Sequence, residues 1–266
     1  MPVARLLCLL LTAVLAGATA VSGRAQAPPS APLMVFAASD LGPPFAQIVP
    51  QFERTTRTDV TLVLGSTGML AQQIRNGAPA DVFFAANESF ITELTAENLT
   101  LRQTTTLYAR GRIATVTLRS GGFHINDLED LVDPRVRRIA IANPQHAPYG
   151  LAAKQALETV GLWTTLGPKL VYGENVQQAV QFVRSGSAEA GIVARSVADT
   201  PDLHWKLVDD RLHTPLNQVA SVLARTKLPA ASISFIQFVN GTQGRLVMRQ
   251  LGFMLPGESA AVSPRD

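Results

Sequence analysis

The residues best placed for chemistry fall in four short loops. They are Ala38-Ser39-Asp40, Gly65-Ser66-Thr67-Gly68, Asn143 to Gly150 (NPQHAPYG) and Gly173-Glu174-Asn175-Val176. Each follows an apolar run and precedes a segment with helical periodicity, so each should end at a helix N-terminus. There the first N–H groups have no intrahelical acceptor, and the helix dipole presents about half a positive charge. That chemistry holds anions. Ser39 and Thr67 add hydroxyl donors, and Tyr149 adds a phenolic one. Asp40, Thr67 or Gly68, Tyr149 or Gly150, and Val176 offer backbone N–H groups, while Gly65 and Gly68 let the chain approach a ligand closely. None of the loops contains Lys or Arg. Such a site would meet negative charge with dipoles alone, which suits a fully deprotonated tetrahedral oxyanion.

Each residue also has an ordinary role to set against this one. Ser39 and Thr67 are good N-cap residues. Asp40 suits a first helical turn, where its carboxylate faces the dipole; turned inward, it would repel a dianion or select a protonated one. Tyr149 could be a rim tyrosine. Singly these signals are weak, and it is their recurrence at four turns of one chain that carries the reading.

Other chemistries are poorly supplied. His124, His146, His204 and His213 show no metal-ligand spacing. The single cysteine, Cys8, lies in an apolar N-terminal run, so no disulfide or thiol chemistry is expected after that run is removed. There is no G-x-S-x-G elbow, Walker loop or dinucleotide glycine motif. Asp81 and Glu88 read as structural carboxylates.

The elements that must position the loops alternate. Apolar strands are expected at Leu33 to Ala37, Asp59 to Leu64, Ala80 to Ala85, Arg138 to Ala142, Leu170 to Tyr172 and Ala190 to Val193. Amphipathic helices are expected from Leu41 to about Thr55, Met69 to Arg75, Glu88 to Glu97, Leu151 to Val160 and Val176 to Arg184. Ile125 to Leu131 reads as a short helix. Leu107 to Leu118 is strand-like and broken at Gly111. Leu207, His213 to Pro215 and Val219 to Leu223 form a return segment, strand-like over Ser221 to Ala224, and two helices close the chain. The pattern is an α/β unit, a crossover, a second α/β unit and a return.

Residues 1–27 read as a secretory signal: Arg5, the apolar run Leu6 to Leu15, then small residues that permit cleavage after Ala20 or Ala27. Residues 28–32 form a Pro-rich linker. The net charge of +3 includes Arg5 and Arg24; without them 21 basic residues face 20 acidic ones. That balance, with no basic run, argues against a nucleic-acid partner. A soluble, exported protein is expected.

Several stretches resemble the periplasmic molybdate-binding proteins of ABC transporters. They are Val35-Phe36-Ala37-Ala38-Ser39-Asp40-Leu41, Gly65 to Gly68 with Leu70 to Ile74, Asn76 to Phe83 (NGAPADVF), Asn143 to Gly150, Gly161-Leu162-Trp163 and Gly191-Ile192-Val193. The resemblance runs in order over about residues 33–254. It implies a two-lobed type II periplasmic binding protein fold, each lobe a mainly parallel sheet flanked by helices, hinged by two crossover strands. Lobe 1 would be 33–110 plus 216–266, and lobe 2 would be 111–215. It further implies a non-enzymatic protein that binds molybdate or tungstate through Ser39, Asp40, Thr67, Tyr149 and Val176, with no cofactor and no direct metal-cation ligand. A membrane permease would receive the anion. Some members carry a ligand tyrosine after the Gly-Ile-Val strand, where this chain has Ala194; here Tyr149 would supply the phenol from the other side. Sulfate is the alternative ligand. A different class of reading, an exported phosphoryl-handling enzyme, needs a base or nucleophile in the cleft, and the sequence offers none that can be placed.

Overall fold

Apolar runs of four to six residues alternate with helices along most of the chain, and the strands assemble into two sheets rather than one. The computed structural model describes residues 31–258. The expected signal sequence, its two cleavage points and segment 259–266 lie outside them. The first sheet contains β1 (Leu33–Ala38), β2 (Val60–Gly65), β3 (Val82–Ala85), β4 (Thr106–Gly111) and the late strand β10 (Leu216–Val222), in the order β2-β1-β3-β10-β4. The second contains β5 (Ile113–Leu118), β6 (Ile139–Ala142), β7 (Leu170–Gly173), β8 (Ala190–Ala194) and β9 (Leu203–Leu207), in the order β7-β6-β8-β5-β9. Both sheets follow one plan. Three strands pair in parallel, and a reversed strand then pairs antiparallel on both of its sides. The reversed strand in each sheet, β5 or β10, is the one that has just crossed from the other.

Helices α1 (Gly42–Thr56), α2 (Thr67–Arg75), α3 (Glu88–Ala96), α8 (Pro229–Asn240) and α9 (Thr242–Gln250) accompany the first sheet. Helices α4 (Pro148–Thr159), α5 (Trp163–Leu166), α6 (Val176–Arg184) and α7 (Arg195–Ala198) accompany the second. The period of two along a strand sends alternate side chains to opposite faces. Val35, Val82 and Phe84 therefore enter one core with Phe45, Phe52 and Phe235, while Phe36 and Phe83 enter another with Leu70, Ile74 and Ile91. Cores on both faces explain why these strands read as continuous apolar runs. The second sheet has its own core, built on Ile139, Ile141, Ile192 and Val193 with Ala153, Leu157 and Val180.

Two details differ from the sequence reading. The short helix expected at Ile125 to Leu131 is only a 3-10 turn at Glu129–Val132. Its apolar members Ile125, Leu128 and Leu131 are buried by loop packing instead. Strand β9 was not anticipated. It is an edge strand of mixed polarity (LHWKL), buried at only one end, so it lacks the continuous apolar signature. Pro50 lies inside α1, which continues through it.

The aromatic cluster under the first sheet centres on Phe235. Its ring meets Phe45, Phe52 and Phe84 edge-on at centroid distances of 5.6, 5.0 and 5.6 Å. Truncation there removes three such pairs at once. Phe235→Ala should cost about 3–5 kcal/mol, read as a lowered urea midpoint with an unchanged slope.

Candidate anion-binding site

All four loops meet at one place. The C-terminal ends of β1, β2, β6 and β7 point toward it, the usual location for a ligand in open α/β sheets. The cavity there, about 190 Å³ counting its open mouth, is lined by Ser39, Asp40, Thr67, Tyr149 and Val176. Ser66, Gly65, Ala147 and Asn175 complete much of the wall. The five residues singled out in the sequence are therefore neighbours around one cavity.

The caps decide which N–H groups stay free. Asn175 is the N-cap of α6, and its Oδ1 accepts from Gln177 N at 3.0 Å and Gln178 N at 3.2 Å. Those are the second and third helical positions. The N–H of Val176, at the first position, is left over. On α2 the N-cap is Ser66, whose Oγ accepts from Met69 N at 3.4 Å. Gly68 N donates to His146 O at 2.9 Å, so of the two N–H donors considered at this loop, Gly68 is already engaged and Thr67 remains. The Thr67 hydroxyl accepts from Ala86 N at 3.1 Å, which leaves its hydrogen to donate elsewhere. Thr67 is thus not the cap that its residue type suggested.

Helix α4 begins at Pro148, whose missing N–H costs nothing at that position. Gly150 follows in the same turn. A Cβ there would sit 2.1 Å from Ala142 O, so only glycine lets α4 start this close to β6. The first turn of α4, with the N–H groups of Tyr149 and Gly150, is thereby brought to the cavity.

The Tyr149 hydroxyl is placed differently from the sequence reading, which gave it to the anion. It donates to Asp40 Oδ2 at 2.9 Å and accepts from Gln218 Nε2 at 2.8 Å. Gln218 Nε2 also donates to Asp40 Oδ2 at 2.7 Å, and Tyr108 donates to Gln218 Oε1 at 2.7 Å. The reason is local. Asp40 is wholly buried, and no Lys or Arg among the described residues bonds to it. A buried carboxylate takes the nearest strong donors. Burial raises the Asp40 pKa to about 6, against the lowering effect of the Gln218 and Tyr149 hydrogen bonds. Burial, with the neighbouring Asp40 charge, pushes both Tyr108 and Tyr149 well above the ordinary tyrosine range. The Asp40 side chain thus belongs to a buried network, which a first-turn carboxylate facing only its own dipole would not enter.

Three further contacts join the two sheets at the cavity rim. Ser66 Oγ meets His146 Nδ1 at 2.8 Å, Gln177 Nε2 donates to Ser39 O at 3.2 Å, and Ser196 Oγ donates to Asp40 O at 2.8 Å. Gln218, Tyr108 and Ser196 were missed in the sequence. Gln218 left one usable signal: with Asn217 it sets amides in the otherwise largely apolar strand β10, and it is the fully buried one.

A carboxyl group with a raised native pKa binds its proton more tightly in the folded state than in the unfolded one. Between about pH 4 and pH 6 the native state therefore holds more protons, and stability falls as pH rises. Asp40→Asn removes this dependence. Its urea stability relative to the parent should rise by roughly 2.4 kcal/mol from pH 4 to pH 7. A constant difference across that range would mean that Asp40 titrates normally.

Comparison with known proteins places this architecture. Residues 33–254 match the family described as bacterial extracellular solute-binding protein. The molybdate-binding protein ModA of Azotobacter vinelandii is 33% identical over 245 residues, covering 90% of this chain and 95% of that protein. The molybdate-binding protein ModA of Escherichia coli is 34% identical over 250 residues, covering 89% and 93%. The solved Azotobacter vinelandii periplasmic molybdate-binding protein superposes with a TM-score of 0.79 at 30% identity, over 84% of this chain and 99% of that one. The two-lobed type II binding-protein fold expected from the sequence is the fold observed, and the chain belongs to the bacterial extracellular solute-binding proteins, the family it shares with the ModA molybdate-binding proteins.

Proposed function

We propose that this protein binds molybdate between its lobes and hands it to the permease of an ABC importer. The observation that carries the reading is the donor set. The Val176 N–H is spared by the Asn175 cap, the Thr67 hydroxyl has its hydrogen to give, and Ser39 carries a hydroxyl at the same cavity. The first turns of α2 and α4 add N–H groups. These donors suit an oxyanion with no proton of its own, and the molybdate-binding relatives narrow the choice to molybdate. Contact is through oxygen atoms only, without any side chain bound to the metal. Tungstate has nearly the same size and charge and should bind with it. The protein acts outside the cytoplasm as a monomeric carrier.

Catalysis is not part of this reading. Ser66 and His146 form the one contact at the cavity that resembles a nucleophile and its base. Ser66, however, is the cap of α2, and among the described residues no carboxylate orients His146. The pair joins the two lobes across the cleft.

Calorimetric titration with molybdate, tungstate, sulfate and phosphate tests the assignment. The first two should bind tightly and the last two weakly; sulfate bound as tightly as molybdate would overturn the choice of ligand. Thr67→Val should lose one hydrogen bond to a charged acceptor, about 1.5–3 kcal/mol or roughly ten- to a hundredfold in affinity, while Thr67→Ser should retain it.

A further inference from the structure

The cavity wall contains one feature that a site made only of donors does not explain. Asp40 lines the cavity where an anion would sit, and its carboxyl group is wholly buried in the wall. Its two oxygens are not equivalent. Oδ2 accepts from Tyr149 and from Gln218, while Oδ1 is buried and has no partner among the described residues. The donors on Oδ2 fix the plane of the carboxyl and leave Oδ1 as the atom free to carry a proton.

The groups around Asp40 offer no other way to balance its charge. On α4 and β4 the titratable neighbours are Tyr149 and Tyr108, both held neutral by burial. Strands β2 and β10 contribute no titratable side chain. The charged residues of α1, Glu53 and Arg54, lie at its far end. Arg195 of α7 is paired with Asp199 at 3.1 Å, and Arg184 of α6 with Asp202 at 3.1 Å. Farther along, α4 carries Lys154 and Glu158, paired with each other at 3.6 Å, and β4 carries Arg110, whose Nε bonds to Asn217. His146 has its Nδ1 on Ser66. An ionised Asp40 beside a dianion would place three negative charges in a buried cavity with no cation against them, which low polarity makes very costly.

We propose that Asp40 shares one proton with the bound oxyanion, so that a doubly charged anion enters this site together with a proton from solvent. The balance is simple. Ionised Asp40, one solvent proton and the dianion become neutral Asp40, whose Oδ1–H donates to an anion oxygen. The residue then serves as one more donor and, when ionised, as a barrier to entry. Its raised pKa in the empty protein, about 6, means that the proton comes on at little cost near neutrality. This inference rests on the oxyanion reading above and adds to it the residue that makes affinity depend on pH.

The sign follows from linkage. The complex holds one more proton than the free protein wherever free Asp40 is ionised, so affinity falls as pH rises above about 6 and levels off below it. Molybdate titrations from pH 5 to pH 8.5 should show affinity falling about tenfold per unit on the alkaline side. At pH 7.5, calorimetry in two buffers of different protonation enthalpy should give an uptake near one proton per anion. Asp40→Asn places an amide at this position, and its affinity should be flat over the same range with no proton uptake. The wild-type proton count stands alone should that variant fail to fold. Tight molybdate binding by the wild type with no proton uptake and no pH dependence would overturn the proposal and leave the molybdate reading intact. Preferential binding of phosphate at pH 7.5 with no proton uptake would leave Asp40 ionised beside a dianion, and would overturn both the shared proton and molybdate as the ligand. No binding of any of the four oxyanions at any pH would overturn both.

Discussion

An anion taken out of water must be met by donors that are already in place, because no Lys or Arg lines the site among the described residues. This constraint organises the rest of the molecule. Free N–H groups exist only at helix starts, so helix starts must converge. They converge only if parallel strands end side by side and each is followed at once by a helix. Both sheets repeat that arrangement with the same strand order, and the loops after β1, β2, β6 and β7 reach one cavity. The cores beneath hold the helix axes. Gly150 lets one of them start against a neighbouring carbonyl, where any other residue would push it away.

Capping does a second job in this scheme. A cap that satisfied every free N–H would leave nothing for a ligand. Asn175 takes the second and third N–H groups of α6 and spares the first. On α2 the third goes to Ser66 and the second to His146 of the opposite lobe. The helix ends are therefore stabilised without being consumed. Stability and binding draw on the same small set of groups and divide it by position.

Much of this was legible in the sequence, and particular residues show where legibility stops. Continuous apolar runs such as VFFA announced strands covered on both faces, because alternate side chains entering two cores leave no polar phase. The four loops could be read because small and capping residues recur just where an apolar run gives way to helical spacing. β9 could not be read, since an edge strand needs no continuous apolar face. The direction of the Tyr149 hydroxyl could not be read either. A residue type states that a donor exists; the strongest acceptor within reach decides where it points. Here that acceptor is Asp40, joined to Tyr149 through Gln218, a residue 178 positions away in the sequence. Partners so distant leave no local spacing to find.

The same contacts bear on how size is discriminated. Lobe-to-lobe bonds such as Gly68 to His146, Gln177 to Ser39 and Ser196 to Asp40 are made by the protein with itself, at ordinary hydrogen-bond lengths. They set how far the lobes close, whatever anion lies between them. An anion too large for the closed cavity must stretch these bonds. One too small leaves the Val176 N–H on one side and the Thr67 hydroxyl on the other too far apart for both to reach it, and hydrogen bonds weaken steeply once lengthened. Selection among tetrahedral dianions of equal charge then rests on the closure distance, and each rim contact contributes to specificity without touching the ligand. On the proposed reading, two anions of nearly equal radius would pass this test equally and the smaller sulfate would not. On the same reading, charge and protonation would be judged separately, by Asp40 in the wall.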